Sequence, residues 1–398
     1  MRSTKVLGQT FSRITAASLS VALVAFTASC TIDHNDDPKI SSNASTSDGE
    51  GEKKNIELTS NMKDGGTDVD VSEHVQVKGS QKIDKVSLTN DAGEKIKGKY
   101  NDDKTEWTVP TKLGYSRTYT LTAKSGDKQL KQTFTTISPA TTLNGALAPL
   151  DGSTVGIGQT IALYFDAPVE DRKAVEDAIT VETTPKVEGA FYWISPQNLR
   201  WRPKDYWKPG TKVKVKANLY GTKLGEGVYG GEDRSAKFTI GDDVRAVVDD
   251  KTKMMTIKKN GKTLQTMPVS MGRDYEYPTP NGKYIIGDQF ETLTMDSSTF
   301  GLTGAGSYKT DVQYATQMSY SGIYIHAAPW SVYAQGNTNT SHGCLNVSVE
   351  NAAWVFNHMK RGDIVEVKNT QGETLNGVDG LGDWNIPWNT WKAGNANG

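Results

Sequence analysis

Short segments in which apolar and polar residues alternate run through the chain after residue 55. Between residues 56 and 137 they include residues 75–77, 85–88, 107–109 and 119–123. Turn residues such as Asp91-Ala92-Gly93 separate them. A period of two residues, broken by turns, is typical of strands with one buried face. The pattern predicts an antiparallel β-sandwich for residues 56–137.

The same pattern repeats further along the chain. Residues 138–241 contain alternating segments at 160–165, 199–202, 212–216 and 236–240. They predict a second sandwich, so we expect two tandem immunoglobulin-like modules without the cysteine pair of antibody domains. Neither module carries converging acid and base groups, which favours a spacer or docking role.

The pattern changes from residue 242 onward. Strand-like segments at 244–248 and 254–257 are followed by Asn260-Gly261, a dipeptide favoured in tight hairpins. A helix is predicted after Ser348, a good N-cap, and Gly362 should end it. Residues 363–367 read as a closing strand. The prediction for residues 242–368 is a β-rich domain with one main helix, and the whole fold class is mostly β.

The N-terminus reads as a targeting segment. Basic residues precede an apolar run of small residues at 14–28, which predicts a secretory signal peptide over residues 1–29. Thr27-Ala28-Ser29-Cys30 resembles a bacterial lipobox, although the usual first residue is Leu. It predicts cleavage before Cys30 and a lipid on its sulfur, while a plain signal peptide cut nearby stays open.

Residues 30–55 are almost devoid of apolar side chains and predict a flexible tether. About 25 such residues reach on the order of 25 to 30 Å. We therefore expect an extracytoplasmic protein, anchored to the outer face of the cell membrane and standing off from it. The chain has 45 basic and 46 acidic residues, a balance that gives no overall attraction to nucleic acid.

Cysteine usage points to the candidate chemistry. The chain has two cysteines, and if Cys30 is lipidated or removed, Cys344 has no partner for a disulfide. Two of the five histidines, His326 and His342, lie near it in sequence. A neighbouring imidazolium lowers a thiol pKa and increases the thiolate population. The hypothesis is a Cys344 nucleophile with His326 as its base and His342 as a residue that shapes the site.

Gly343 suits a sharp turn whose backbone N–H groups point at one spot, as an oxyanion hole requires. Two other interpretations stay open. Cys344 could be a small buried hydrophobe among hydrogen-bonded core histidines. In the second interpretation, His326, His342 and Cys344 bind zinc. Their spacing matches no Cys/His ligand pattern, and no carboxylate is adjacent, so no metal is predicted.

The motifs together resemble a known family. Ile325-His326, followed by Ser341-His342-Gly343-Cys344-Leu345-Asn346, resembles the signature of the YkuD-type L,D-transpeptidases. Thr279-Pro280-Asn281-Gly282 is similar to that family's Thr-Pro-x-Gly turn. The order of lipid anchor, two immunoglobulin-like modules, catalytic domain and Trp-rich tail resembles the lipid-anchored actinobacterial members.

The resemblance implies an activity. Cys344 would attack a peptidoglycan tetrapeptide stem at its third residue, release D-alanine and form a thioester. The side-chain amine of a second stem's diamino acid would resolve it, leaving a 3→3 cross-link. The backbone N–H groups of His342, Gly343 and Cys344 would hold the oxyanion. No cofactor or nucleic acid is implied, and carbapenem β-lactams are expected as covalent inhibitors.

The resemblance also suggests which residues contact substrate. A Gly- and Ser-rich stretch at 292–307 resembles the family's flap over the active site, and aromatic packing under a loop is the alternative for each of its large side chains. The predicted substrate contacts are Met295, Phe300, Tyr308, Tyr320, Trp330, Ser341 and Asn346. Ala327 stands where related enzymes often have a serine that orients the imidazole. A backbone carbonyl there would serve as well.

Residues 369–398 hold Trp384, Trp388 and Trp391, which we expect to pack this extension on the catalytic domain.

Three functional classes remain: an L,D-transpeptidase, an L,D-carboxypeptidase in which water resolves the thioester, and a wall-binding protein with a vestigial catalytic domain. An intact His326 and Cys344 argues against the third. The sequence barely separates the first two, because cleft shape sets the acceptor.

Overall fold

The fold was obtained as a computed structural model, which describes residues 56–301, 303–304 and 307–397, apart from the side chain of Phe300. The mostly-β prediction is confirmed. The predicted signal peptide, the tether and the lipidation at Cys30 lie outside the described residues. Within the described ranges, no helix has the length and apolar character needed to span a membrane.

The first sandwich is built from nine strands that enclose one core. Its two sheets have the strand orders β1-β3-β7-β6 and β2-β9-β8-β4-β5. Alternation places Trp107, Tyr119 and Phe134 in the core between them. The strands are β1 Leu58–Ser60, β2 Gly66–Val69, β3 Gln76–Gly79, β4 Lys85–Asn90, β5 Lys95–Ile96, β6 Lys99–Tyr100, β7 Glu106–Thr108, β8 Thr118–Ser125 and β9 Lys128–Thr136.

The second sandwich has its own core, which includes Trp193, Trp201 and Trp207. Its sheets have the orders β11-β13-β16-β15, β12-β20-β17-β14 and β10-β19-β18. A short helix that the sequence pattern did not predict, α1 Arg172–Asp177, begins after the N-cap Asp171. The strands are β10 Thr141–Leu143, β11 Gly145–Ala148, β12 Thr154–Val155, β13 Ile161–Phe165, β14 Ile179–Thr184, β15 Gly189–Ser195, β16 Asn198–Pro203, β17 Lys212–Ala217, β18 Lys223–Gly225, β19 Val228–Gly230 and β20 Arg234–Ile240.

The C-terminal domain has two sheets, β23-β22-β21-β29-β24 and β25-β26-β27-β28. The predicted helix is present as α2 Val349–His358, and the Ser348 side chain accepts the N–H of Asn351 as its N-cap. This helix packs on β26 and β27. The strands are β21 Val244–Asp249, β22 Met254–Lys259, β23 Lys262–Pro268, β24 Gly282–Ile285, β25 Gln289–Asp296, β26 Lys309–Gln317, β27 Tyr324–Ala327, β28 Leu345–Val347 and β29 Ile364–Lys368.

The C-terminal extension ends on the second sandwich instead of the catalytic domain. Trp391, in helix α3 Trp388–Ala393, is fully buried, and its indole N–H donates to the Ala190 carbonyl at 2.8 Å. The guanidinium of the buried Arg202 lies 4.5 Å from the Trp391 ring and 4.6 Å from the Trp384 ring. Arginine stacks well on aromatic faces, which explains why the tryptophans lie there.

The earlier part of the extension does contact the catalytic domain. The Leu375 N–H donates to the Asn281 carbonyl, and the Asn385 side chain donates to the Lys283 carbonyl, each at 2.8 Å. The sequence prediction is therefore corrected: the extension bridges the catalytic domain and the second sandwich, and its tryptophans belong to the latter contact.

A second junction joins these two domains through their backbones. The N–H groups of Gly156 and Gly158 donate to the carbonyls of Arg361 and Gly362 at 2.9 and 2.8 Å. A Cβ at Gly156 would collide with Asp363, so glycine permits this close approach. Asp363 is fully buried there, and its Oδ1 has no hydrogen-bond partner among the described residues.

Asp363 should make stability depend on pH. Burial raises the pKa of its carboxyl to about 7, well above an unfolded value of about 3.9. The folded protein therefore holds a proton that the unfolded chain releases, so the free energy of unfolding falls as pH rises from about 4 to about 7 and is flat above that. Asp363→Asn is expected to remove this dependence and to stabilise the protein at pH 8 by up to about 4 kcal/mol.

Chemical denaturation of the parent protein and the variant at pH 5 and pH 8 measures the difference. Asp127→Asn, at an exposed turn of the first sandwich, is the matched control. Equal pH dependence in the parent protein and Asp363→Asn would contradict the assignment.

Candidate active site

Strands β27 and β28 bring the candidate catalytic residues together. They run parallel, with Ile325 opposite Leu345 and His326 opposite Asn346. Successive side chains of a strand point to opposite faces. Ile325 and Leu345 therefore enter the domain core, whereas His326 and Asn346 face a cleft. Cys344, one residue before β28, lies on the same side as Asn346.

The cleft has a volume of about 200 Å³. It is lined by Met295, Tyr308, Thr310, Val312, His326, Trp330, Thr340, Ser341, His342, Cys344 and Asn346. Most of the residues expected to form the site are therefore gathered around one cavity.

Two of the predicted substrate contacts are not placed in the cleft. Tyr320 is 43% exposed, and its hydroxyl lies 3.2 Å from that of Tyr164 in the second sandwich. It lines a different cavity at the junction of the two domains, so the prediction that Tyr320 lines the cleft is corrected. The side chain of Phe300 lies outside the described residues.

The Cys344 thiol is buried, with 6% of the residue exposed. Its Sγ–H donates to the Gly322 carbonyl at 3.5 Å. Burial raises the pKa of the thiol to about 11, and the backbone of Tyr324 offsets this only in part. The group is therefore a protonated thiol at neutral pH.

His326 is oriented by the backbone of the next residue. Its Nδ1 lies 2.9 Å from the Ala327 carbonyl, which can only accept, so Nδ1 carries the proton and Nε2 keeps its lone pair. The imidazole is thus held as a base without a serine hydroxyl, which answers the question raised by Ala327. Burial lowers the pKa of His326 to about 4.

These pKa directions differ from the sequence expectation of an imidazolium beside a thiolate. Burial disfavours the charged form of each group, so the site rests as a neutral thiol and a neutral imidazole. An attack by this sulfur would therefore require the thiol proton to move to Nε2 during the attack, when the developing negative charge can be stabilised on the substrate oxygen.

A neutral resting pair predicts an unusual pH profile. The rate of acylation by a β-lactam should change by less than about threefold between about pH 6 and about pH 9, because neither group titrates in that range. Stopped-flow kinetics across this range, with free cysteine as the reference thiol, measures it. A tenfold rise per pH unit for the protein would show instead that a free thiolate titrates.

Two buried hydroxyls hold the turn before Cys344. The Ser341 hydroxyl accepts the Gly343 N–H at 3.1 Å and donates to the Cys344 carbonyl at 2.6 Å. The Thr279 hydroxyl accepts the Gly272 N–H at 2.9 Å and donates to the Gly343 carbonyl at 2.8 Å. Ser341 was predicted to bind substrate, and the structure shows its hydroxyl engaged within the turn, at the wall of the cleft.

Thr279 was not assigned a role from the sequence, although it begins the Thr-Pro-Asn-Gly turn. Gly343 itself has φ +123°, a backbone conformation that L side chains rarely adopt.

The N–H groups of His342 and Cys344 have no acceptor among the residues that the structure describes. Of the three donors expected for an oxyanion, the Gly343 N–H is already used by Ser341, and these two are free.

His342 is fixed as a neutral ring. An Arg273 guanidinium N–H donates to its Nε2 at 3.1 Å, which assigns the ring proton to Nδ1. Desolvation lowers the pKa of His342, and the positive charge of Arg273 lowers it further. The ring lies between Tyr277 and Tyr308, with centroids 4.7 and 5.0 Å away. This geometry suits the expected role of shaping the site.

Asn346 offers an open acceptor in the cleft. Its Nδ2 donates to the Ser331 hydroxyl at 3.2 Å, while its buried Oδ1 has no partner within the described residues. An unsatisfied buried carbonyl can be satisfied by a ligand N–H.

The described part of the chain contains no cluster of three or more His, Cys, Asp or Glu side chains that could hold a metal ion.

Comparison with known proteins identifies the family. The L,D-transpeptidase catalytic domain family matches residues 243–367, and the bacterial Ig domain family matches residues 66–223. L,D-transpeptidase 2 of Mycobacterium tuberculosis is 49% identical over 346 residues, which cover 85% of both chains. The chain belongs to the L,D-transpeptidase family. The resemblance inferred from the motifs is thus confirmed.

Other relatives agree. L,D-transpeptidase 5 of Mycobacterium tuberculosis is 34% identical and covers 78% of this chain and 70% of its own. The solved structure of the LD transpeptidase LdtMt1 in complex with imipenem is 36% identical, with a TM-score of 0.50 over 56% of this chain and 99% of that one. Membership supports an acyltransferase activity for this L,D-transpeptidase.

Proposed function

We propose that this protein forms 3→3 cross-links between peptidoglycan stem peptides through a thioester on Cys344. The observation that carries the proposal is the arrangement of Cys344 and His326 on one face of the paired strands β27 and β28, with the His326 lone pair directed away from the carbonyl that holds Nδ1. Family membership supports the reaction class.

In the first half-reaction the Cys344 sulfur attacks the carbonyl of the third residue of a tetrapeptide stem, normally a diamino acid. The thiol proton passes to Nε2 of His326 as the carbon–sulfur bond forms. The free N–H groups of His342 and Cys344 are suited to hold the oxyanion. The bond to D-alanine then breaks, and its amine leaves with the proton from His326.

In the second half-reaction the side-chain amine of another stem attacks the thioester. His326 accepts a proton from that amine and returns it to the departing sulfur, which restores the resting pair. The unpartnered Oδ1 of Asn346 would accept a stem N–H, while Tyr308, Met295 and Trp330 would supply apolar walls. The reaction requires no cofactor, because each proton and bond is accounted for by these groups and the two stems.

The experiment that tests this function is mass spectrometry of tetrapeptide stems incubated with the purified protein and with Cys344→Ala. A cross-linked dimer together with free D-alanine supports the transpeptidase. A tripeptide without the dimer would assign the protein as an L,D-carboxypeptidase, with water as the acceptor. Activity in Cys344→Ala would overturn both.

The proposal includes a location and an inhibitor class. A signal peptide and a lipid on Cys30 would place the catalytic domain outside the cell membrane, where peptidoglycan is assembled. Metabolic labelling with a radioactive fatty acid should mark the parent protein and not Cys30→Ala. The imipenem complex of the related LdtMt1 supports carbapenems as ligands of this cleft.

A further inference from the structure

The outer face of the first sandwich has an unusual composition. On strands β4, β8 and β9, the inward residues Leu88, Leu121 and Phe134 lie in the core, and the alternate residues point outward. Four exposed lysines lie on this outer face: Lys85, Lys95, Lys124 and Lys131. The other outward positions of β4, β8 and β9 are Thr, Ser or Gln, and none is Asp or Glu. We refer to this surface as the first lysine–threonine face.

Pairing within this face is unfavourable for the fold. Lys85 and Lys124 lie directly opposite each other on neighbouring strands, a position in which like charges destabilise a sheet. Among the described residues, none of the four lysines forms an ion pair. A surface shaped only for solubility usually intersperses both signs. The single sign therefore indicates a ligand that supplies the negative charge.

The second sandwich repeats the feature. Lys212, Lys214 and Lys216 alternate outward along β17, and Lys237 on β20 is directly opposite Lys214. Glu182, paired with Lys214 at 3.2 Å, is the one carboxylate among the outward positions of β14, β17 and β20. The remaining outward positions on these strands are Thr or Ser. This second lysine–threonine face arises from unrelated strands, so the recurrence is independent support.

We propose that the two lysine–threonine faces bind peptidoglycan strands through the carboxylates of their peptide stems. Ammonium groups pair with the carboxylates, and the rows of hydroxyls can exchange hydrogen bonds with sugars and peptide groups. Each contact on an exposed face is weak, but many along one polymer add up. The sandwiches would then hold the wall polymer near the catalytic domain. The inference rests on the proposed function for the identity of the polymer.

An anionic membrane surface is the competing ligand, and the composition of the faces disfavours it. Membrane-binding surfaces combine basic residues with apolar or aromatic side chains that enter the lipid. The exposed large hydrophobic residues of the two sandwiches are Tyr100 and Leu150, and both lie outside the strands that form the faces. The faces are polar throughout, which suits a hydrated polymer.

Co-sedimentation of the purified protein with insoluble peptidoglycan tests the inference. It is performed with Cys344→Ala, so that no thioester contributes to binding. The first triple variant removes charge from the first face: Lys85→Gln, Lys124→Gln and Lys131→Gln. We expect this triple variant to have an apparent Kd for peptidoglycan about tenfold higher than that of the protein with both faces intact. Binding of the protein with both faces intact should weaken with added salt. A second variant with Lys212→Gln, Lys216→Gln and Lys237→Gln should behave alike.

The matched control removes three exposed lysines of the catalytic domain: Lys251→Gln, Lys258→Gln and Lys262→Gln. It should bind peptidoglycan as the parent does. Peptidoglycan whose carboxylates have been chemically amidated should bind poorly to the parent. Unchanged binding by both face variants, an equal loss in the control, or binding to phosphatidylglycerol vesicles but not to peptidoglycan would overturn the proposal.

A separate readout keeps this proposal distinct from the catalytic one. With Cys344 intact, the face variants should be acylated by imipenem at the parent's rate, because the lysines lie outside the cleft. This also shows that the catalytic domain of each variant folds, and a cooperative thermal unfolding transition like that of the parent shows that the sandwiches do. If stems are not cross-linked but the face variants still lose peptidoglycan binding, the catalytic proposal fails and the docking proposal stands.

Discussion

Cys344→Ala is expected to abolish covalent capture of imipenem. The Cys344 thiol lines the same cleft as His326, and an alanine methyl group cannot form a thioester. Intact-protein mass spectrometry should show the parent shifted by one inhibitor and the variant unshifted. The Cys344→Ser variant should acylate more slowly by several orders of magnitude, because a hydroxyl is far harder to ionise than a thiol.

Two controls make the result specific. Cys30→Ala removes the other cysteine of the chain and should leave the adduct intact. Thermal unfolding of Cys344→Ala should stay cooperative, since the substitution removes one buried atom. An adduct that persists in Cys344→Ala, or maps to another residue, would contradict the role given to this thiol.

Part of the geometry around the candidate site is encoded in local sequence patterns. Ser348 was predicted to be the N-cap of the main helix, and it caps α2. Gly343 was expected at a sharp turn and has positive φ. These features depend on nearest neighbours along the chain or on strand period, which one sequence displays.

Features that depend on distant contacts were missed. The tryptophans of the extension pack around Arg202, nearly two hundred residues earlier, and nothing local to Trp391 indicates that partner. The link from Thr279 to the Gly343 carbonyl likewise joins residues far apart in sequence. Burial of Cys344 and His326 is also a property of the assembled domain. For that reason the thiolate expected from proximity is replaced by a neutral pair.

Helix α1 was missed for a different reason. It has only six residues, and its apolar positions are too few for a helical period to appear in a region otherwise rich in strands. The flap-like stretch shows how turn residues can hide regular strands in the sequence pattern. Residues 292–307, described from the sequence as a Gly- and Ser-rich stretch that resembles a flap, include the end of β25, and this strand forms a regular hairpin with β26. Glycine and serine at its tip obscured the strands on either side.

Gly343→Ala is expected to slow acylation by about 10² to 10³-fold, the effect of losing one oxyanion donor. A Cβ at this position would have only Ile323 within 4 Å, at 3.8 Å, so space is not the obstacle. The obstacle is the φ of +123°, which an alanine adopts only with strain of roughly 1 to 3 kcal/mol. Relief of that strain rotates the peptide that leads into Cys344.

Such a rotation would break the Gly343 N–H bond to Ser341 and turn the Cys344 N–H away from the substrate oxygen. The measurement is the imipenem acylation rate together with the unfolding temperature. Gly93→Ala is the matched control: it has φ +78° and nothing within 4 Å of the added Cβ, in a turn of the first sandwich. Both variants should lose similar stability, but only Gly343→Ala should lose rate. If both variants acylate within about threefold of the parent, the turn geometry does not contribute to transition-state stabilisation.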